Sequence, residues 1–307
     1  MIKITLILLQ LIFFIVVAPF LSGLIAKIKN SFRMRKGQSV FQPYYNLIKL
    51  FSKGEVISQT ASWIFKVTPF IVISSTLTVA LLVPVFILSN PLYRVGDFLA
   101  IIFIFALGRF FLALAALDTG SSFGGMGSSR EMFISSLVEP VLCLVIFSIF
   151  LQFGSTNIFV FSGIHAVSVS SMVAGIALFL VTIAETSRIP VDNQETHLEL
   201  TMVHEAMVLE YSGRSLALIE MAAHVKQMIW FFLLAQIIFP IAALSAVNLT
   251  GLFSWGLWYL ARILIIVITV AVVEVLVAKM RLFRVADFLG FAFVLGVIGS
   301  ICAILGI

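Results

Sequence analysis

The stretch DFLAIIFIFALGRFFLALAAL, residues 97–117, decides the class of fold. After Asp97 it contains a single charge, Arg109, in an otherwise apolar run. A helix rises 1.5 Å per residue, so roughly 20 such residues cross the ~30 Å hydrocarbon layer of a bilayer. Similar stretches recur at about 4–26, 67–89, 132–153, 166–186, 226–247, 254–278 and 286–306. The expected fold is all-α: a polytopic integral membrane protein of about eight transmembrane helices, forming one membrane domain over 1–307 with two long loops at 27–66 and 187–225.

Composition agrees. The 307-residue chain is 62% hydrophobic and 11% charged, with mean hydropathy +1.19, whereas soluble chains carry roughly 25% charged residues. Its two cysteines, Cys143 and Cys302, both sit in apolar runs and cannot make a disulfide framework, an iron–sulfur site or a zinc site. No cofactor or metal is expected in this chain, and any redox metal belongs to a partner. The first apolar stretch is too long for a secretory signal, contains Pro19, and shows no cleavage site before Lys27 and Lys29, so it reads as an uncleaved first helix.

Lys and Arg set the expected orientation. Fifteen of the nineteen lie in or beside the odd-numbered loops, eight of them in loop one: Lys27, Lys29, Arg33, Arg35, Lys36, Lys49, Lys53 and Lys66. Those loops are expected on the cytoplasmic side of the cell (inner, cytoplasmic) membrane, with both termini outside. The net charge of +5 is then a topology signal, and no nucleic-acid partner is expected.

The acids are placed as tellingly. Seven of fourteen fall between 185 and 220: Glu185, Asp192, Glu195, Glu199, Glu205, Glu210 and Glu220. His197, His204 and His224 lie in this stretch or just past it. A solvated loop is the bland reading. Against it, 193–211 reads as a helix with Glu195 and Glu199 one turn apart, a spacing at which like charges raise one another's affinity for a proton. Glu220 and His224 are also one turn apart and offer a donor and acceptor pair.

Inside the expected spans, Arg109, Glu139, Glu185, Arg262 and Glu274 each cost about 2.5–3.5 kcal/mol at a helix centre on insertion scales. Such groups face a bundle interior or a water-filled cavity and mark an ion or proton path; snorkelling is the alternative for Glu185 and Arg262, which lie nearer an interface.

Other motifs are missing. His204-Glu205 is followed by Val208 where a zinc-protease helix needs a second His. The cluster GSSFGGMG, 120–127, has the wrong spacing for a nucleotide loop and reads as a flexible or tightly packed turn, with Ser128 and Ser129 as N-caps of the next span. In loop one, basic residues flank an apolar run of Phe41, Tyr44, Tyr45, Leu47, Ile48, Leu50 and Phe51. That pattern suits a helix in the headgroup plane, a docking face for a soluble subunit, or a groove into the bundle.

The run AETSRIPVDNQETHLEL followed by HEAMVLEYSGRSLALIE, within 184–220, is similar to the signature of the subunit-H family of respiratory complex I. Its elements are Ala184, Glu185, Thr186, Arg188, Pro190 and Asp192, then Glu195, His197, Glu199 and Leu200, then Glu210, Tyr211, Ser212 and Gly213, with Gln42-Pro43 and Lys49-Leu50 in loop one. The resemblance covers essentially the whole chain. Where the family has Gly-Pro-Asn-Arg-Val-Gly-Pro, this chain has Arg35-Lys36-Gly37-Gln38-Ser39-Val40-Phe41. His197 replaces an acid, and GSSREMFISSLVEP, 127–140, replaces an Asn-Ser-Lys run. These departures resemble the branch found in membrane-bound [NiFe] hydrogenases, including formate hydrogenlyase, and put a quinone site in doubt.

The resemblance implies a membrane anchor and ion-coupling subunit that links proton reduction in a soluble arm to proton or sodium translocation. It implies as partners the [NiFe] hydrogenase large and small subunits, an iron–sulfur ferredoxin-like subunit and an antiporter-like membrane subunit, with the [NiFe] centre and iron–sulfur clusters on those partners. The expected coupling residues are Arg109, Glu139, Glu185, Asp192, Glu195, His197, Glu199, His204, Glu205, Glu210, Glu220, His224 and Glu274. The expected docking residues are Arg35, Lys36, Gln42, Pro43, Tyr44, Tyr45, Lys49, Arg130 and Arg188. Two alternatives stand: a proton-pumping NADH:quinone oxidoreductase subunit lining a quinone chamber, and a stand-alone secondary transporter.

Overall fold

In a computed structural model, residues 2–58, 60–84, 96–161, 168–193, 202–239 and 249–306 are described. Eleven helices are formed among them: α1 (Ile2–Phe32), α2 (Gln42–Ser52), α3 (Trp63–Leu82), α4 (Phe98–Asp118), α5 (Ser122–Phe153), α6 (Ile158–Phe161), α7 (Val169–Glu185), α8 (His204–Val208), α9 (Gly213–Ile238), α10 (Leu249–Leu276) and α11 (Leu282–Leu305). Seven of them, α1, α3, α4, α5, α9, α10 and α11, are long and apolar enough to cross a membrane. The stretch expected at 166–186 becomes α7, which is apolar but has 17 residues, at the short end of the spanning range. The chain is an all-helical, multi-pass membrane protein.

Local chemistry starts the helices. Ser62 caps α3, Asp97 caps α4 by accepting from Leu99 N at 3.1 Å, and Ser168 and Ser171 cap α7 reciprocally. These bonds satisfy amides that would otherwise be stranded at helix ends.

Two expected boundaries move. Helix α5 starts at Ser122 because Ser121 Oγ accepts from Gly124 N at 3.2 Å, so GSSFGGMG is mostly helix and neither Ser128 nor Ser129 is a cap. Ser128 Oγ instead bonds Gly124 O (2.8 Å) and Ala113 O (3.1 Å), tying α5 to α4. Gly127 serves close packing: a Cβ there would lie 3.0 Å from Ala206 Cβ and 3.1 Å from Met207. Likewise α9 begins at Gly213, well before the expected 226, because the charged residues that end the hydropathy run, Glu220 and His224, have polar surroundings inside the bundle. The helix expected over 193–211 is represented by the single short α8; residues 194–201, with Glu195, His197 and Glu199, lie outside the described residues.

Helix α9 is the central post. Val225 and Met228 through Ala235 are almost wholly buried, and the helix contacts α1, α2, α3, α7 and α10. A helical segment apolar on every side, as Met228 through Ala235 is, belongs in such a place. By contrast α1 and α11 present Leu8, Ile12, Val16, Phe291, Val294 and Ile301 outward. Helices α5, α7 and α11 pack closely together, and a Cβ at Gly299 of α11 would lie 3.4 Å from the backbone nitrogen of Ala174, as small residues allow between membrane helices.

The end of α1, α2, α8, the start of α9, the end of α10 and the start of α11 gather at one end of the bundle, here the basic end. The Glu-Tyr-Ser-Gly motif holds loop one to this end. The Tyr211 ring stacks on Phe65 at 3.9 Å and its hydroxyl donates to Phe65 O (3.0 Å), while Ser212 Oγ pairs with both backbone groups of Val56 at 2.9 Å. Burial raises the Tyr211 phenol well above its ordinary value. Gly213, at φ +53, lies directly against the Gly54 carbonyl, where no side chain fits.

Candidate functional site

A cavity of about 400 Å³ opens in the basic end. Its walls carry Glu131, Glu185, Asp192, Glu205, Glu220 and Glu274, together with Lys29, Arg109, Arg188, Lys226, His204 and His224. Most of the charge this chain places at membrane depth therefore meets at one space, and the structure sorts it into three clusters.

The first cluster is centred on Glu185, the last residue of α7. Arg109 Nη1 reaches its Oε1 at 3.0 Å from α4, and Lys226 Nζ reaches its Oε2 at 2.8 Å from α9. Arg109 also donates to Ser135 Oγ of α5 at 2.6 Å, and Ser135 donates onward to Glu139 Oε1 at 3.2 Å. A continuous polar chain therefore runs Lys226, Glu185, Arg109, Ser135, Glu139. Its last member lies near the middle of α5 and is exposed on the side of the bundle, in a stripe with Met132, Ser136, Pro140, Cys143 and Phe147.

The second cluster is centred on Glu274 of α10. Lys29 Nζ lies 3.2 Å from its Oε2, and Arg188 Nη1 lies 2.9 Å from its Oε1. Arg188 Nη2 also donates to Gln227 Oε1 at 3.0 Å. Ser22 Oγ donates to the same oxygen at 2.8 Å and stands 2.8 Å from His224 Nδ1. A hydroxyl has one proton, so Ser22 must accept from His224, which fixes the Nδ1–H tautomer and leaves Nε2 as an acceptor.

The third cluster is Asp192 and Lys279, 2.9 Å apart. The other Asp192 oxygen accepts from Val203 N (3.0 Å) and His204 N (3.2 Å), drawing the acidic segment back onto the bundle. Pro190 O accepts from Met280 N at 2.9 Å, so the turn after α7 is held to the α10–α11 connection as well.

Ten of the thirteen expected coupling residues lie among the described residues. Arg109, Glu139, Glu185, Asp192, His224 and Glu274 belong to the clusters, His204, Glu205 and Glu220 line the cavity, and Glu210 is exposed away from it. Glu195, His197 and Glu199 fall outside the described residues. His224 is bonded to Ser22, so the expected Glu220 and His224 pairing is replaced by two independent cavity-lining groups. Lys29, Lys226, Lys279, Ser22, Ser135 and Gln227 were not expected at a site. A lysine beside a loop reads from sequence only as an orientation signal, since its burial depends on helices far away in the chain.

Among the expected docking residues, Arg35, Lys36, Tyr45 and Lys49 are exposed. Gln42 bonds Asn46 within α2, and Tyr44 donates to Val16 O, seating α2 on α1. Pro43 lines the cavity. Arg188 bonds Glu274 and Gln227, and Arg130 donates to Met202 O at 3.0 Å, so both cations have partners within the chain.

The chain shares its fold with a chain of the membrane-bound sulfane sulfur reductase, an archaeal respiratory membrane complex (TM-score 0.81, 18% identity, 99% of this chain and 100% of that one). It is 31% identical to hydrogenase-4 component C of Escherichia coli (strain K12) over 92% of this chain and 91% of the relative. It is 30% identical to formate hydrogenlyase subunit 4 of the same organism over 90% of each, and 25% identical to NADH-ubiquinone oxidoreductase chain 1 of Aedes aegypti over 72% of each. With the NADH dehydrogenase family model matching residues 4–305, the chain belongs to the NADH dehydrogenase subunit 1/H family.

Proposed function

We propose that this chain is the membrane anchor and ion-coupling subunit of a membrane-bound [NiFe] hydrogenase complex. It links electron transfer and proton reduction in the soluble arm to proton or sodium translocation. The observation that carries the reading is the polar chain from the cavity through Glu185, Arg109 and Ser135 to the exposed Glu139. A charge at membrane depth costs about 2.5–3.5 kcal/mol if lipid surrounds it. The stripe around Glu139 is therefore the face for an antiporter-like membrane subunit, which supplies the next proton or ion site.

The basic end is the cytoplasmic end, with both termini outside, in the cell membrane. There the exposed Arg35, Lys36, Tyr45 and Lys49 meet the [NiFe] large and small subunits and a ferredoxin-like subunit, which carry the [NiFe] centre and the iron–sulfur clusters. The hydrogenase-4 and formate hydrogenlyase relatives, both near 30% identity over nine-tenths of the chain, support this choice of partners.

In mechanism, a change of charge in the soluble arm alters the field in the cavity. The carboxylates lining it respond by exchanging protons or partners. At Glu185 two cations hold one carboxylate, so a proton arriving there releases either Lys226 toward the cavity or Arg109 toward Ser135 and Glu139. A quinone chamber is the alternative reading of the same cavity, whose walls carry six acids.

The test is Glu139→Gln in the whole complex. Hydrogen evolution with an artificial electron donor should persist while reaction-driven ion pumping in liposomes falls about tenfold or more, the equivalent of ~1.4 kcal/mol. Full pumping in the variant would sink the reading. Quinone reduction by the complex, with no hydrogen evolved, would favour the quinone-reductase alternative.

A further inference from the structure

The acids that line the cavity fall into two groups. Glu185, Asp192 and Glu274 are ion-paired, to Arg109 and Lys226, to Lys279, and to Lys29 and Arg188 respectively. Glu131, Glu205 and Glu220 make no hydrogen bond or ion pair among the described residues. Of these three, Glu131 shares a helix with Ser135 and Glu139. Four residues advance a helix by about 6 Å and leave it turned by about 40°, so Glu131, Ser135 and Glu139 form one row that winds slowly round α5. Burial follows the winding: Glu131 is half-buried on the cavity wall, Ser135 is buried, and Glu139 is exposed on the side of the bundle.

Arg109 meets this row at its middle, where Nη1 donates to Ser135 Oγ at 2.6 Å. An acid therefore stands one turn away on either side, and the guanidinium charge interacts with Glu131 and Glu139 as well as with Glu185. Its bonds run through Nη1, and its buried Nε has no partner among the described residues, so the guanidinium is held at one corner and can pivot. The start of α5 is also fastened to the acidic segment. Arg130 donates to Met202 O at 3.0 Å, Gly127 packs on Ala206 and Met207, and the same segment hangs from Asp192 through Val203 N and His204 N. A shift of that segment moves Glu131 relative to Arg109.

We propose that Glu131 is a positioning residue for Arg109: the cavity-side carboxylate that competes with Glu139 for the guanidinium. The proposal rests on the ion-coupling reading and adds the group that governs its charge relay. Ionised Glu131 draws Arg109 toward the cavity and leaves Glu139 protonated. When a proton from the cavity binds Glu131, that pull is lost and Arg109 moves along the row. Glu139 then gives its proton to the neighbouring membrane subunit and pairs with Arg109 as an anion. Loss of the proton from Glu131 reverses both steps. Uptake at one end of the row is thus answered by release at the other, and no proton passes through the guanidinium, which stays charged throughout.

The experiment counts ions moved per hydrogen evolved by the complete complex in liposomes. Glu131→Gln holds the cavity side neutral and should lower the ratio about fivefold or more, with hydrogen evolution from an artificial donor unchanged. Its unfolding temperature should not move, because Glu131 has no bond to lose. Glu131→Asp keeps the charge and should stay within about twofold of the unmodified complex. A double-mutant cycle tests whether the effect travels through Arg109 and Ser135: adding Glu131→Gln to Ser135→Ala should change the ratio less than about twofold, since effects on one shared path do not add. An unchanged ratio in Glu131→Gln overturns the proposal. So do equal losses in Glu131→Asp and Glu131→Gln, and so does a full further loss in the double variant. If Glu139→Gln stops pumping and Glu131→Gln does not, the ion-coupling reading stands and this proposal falls; full pumping in Glu139→Gln overturns both.

Discussion

Glu185 and Glu274 each hold two cations inside the bundle, yet they sit in different circuits. Around Glu274, Lys29 and Arg188 are nearly sealed, with side chains 6% and 11% exposed, and the second Arg188 bond is taken by Gln227. Around Glu185, Lys226 is 21% exposed toward the cavity, and Arg109 reaches onward through Ser135 to a carboxylate on the outer wall. The same composition, one acid and two bases, therefore makes a fastening in one place and a transmissible charge in the other. What differs is whether the surplus cation has somewhere to go.

The largest effect should come from breaking the fastening. Glu274→Ala takes the carboxylate away from both Lys29 and Arg188, and removing one partner of a buried ion pair costs about 3–5 kcal/mol. The complex should lose this subunit or unfold at clearly lower temperature, with partial recovery on adding Lys29→Met. Glu185→Ala should cost less, because Lys226 can turn to the cavity. Thermal unfolding of both variants in detergent checks this, and equal losses would break the comparison.

Next in size is coupling. Glu185→Gln keeps shape and should cut ions moved per hydrogen evolved about tenfold, the equivalent of ~1.4 kcal/mol, whereas Glu274→Gln should change that ratio less than about twofold. Similar ratios would show that both clusters transmit. Ser135→Ala removes only the hydroxyl between Arg109 and Glu139, a contribution of about 1 kcal/mol, so pumping should fall a few-fold with hydrogen evolution intact.

The smallest effect lies in the motif that resembled a working part and serves as a clasp. Tyr211→Phe should cost about 1 kcal/mol of stability through the lost bond to Phe65, with coupling unchanged. Burial raises the Tyr211 phenol in the folded state, so its stabilising contribution is complete below the unfolded value near pH 10. It is lost as pH rises through the folded value. Above about pH 10 the unmodified protein should therefore lose stability faster than Tyr211→Phe, in thermal melts run across that range.

Much of the site was legible in the chain because charge is scarce in it. Arg109, Glu139, Glu185 and Glu274 stand out against apolar neighbours, and the energetic cost of each at membrane depth requires a partner. The partners were another matter. Lys226 and Gln227 are adjacent, yet one bonds Glu185 and the other Arg188, since successive residues on a helix point about 100° apart. Glu220 and His224 hold the start of the hydropathy run back to 226 although α9 starts at Gly213, and GSSFGGMG looks like a turn because its glycines imply flexibility until something packs against them.

By itself the sequence determined the helical membrane class, the approximate spans and which ionisable groups had to be satisfied inside them. Those follow from the thickness of the bilayer and the cost of charge within it. The tertiary structure alone decided that Lys29, from the first helix, would sit on Glu274 near the end of the tenth, that Glu139 would face outward, and that Arg262 would donate to the carbonyl of Phe239. Pairing of that kind is set by how helices rotate and cross when they pack, and no local run of residues contains it.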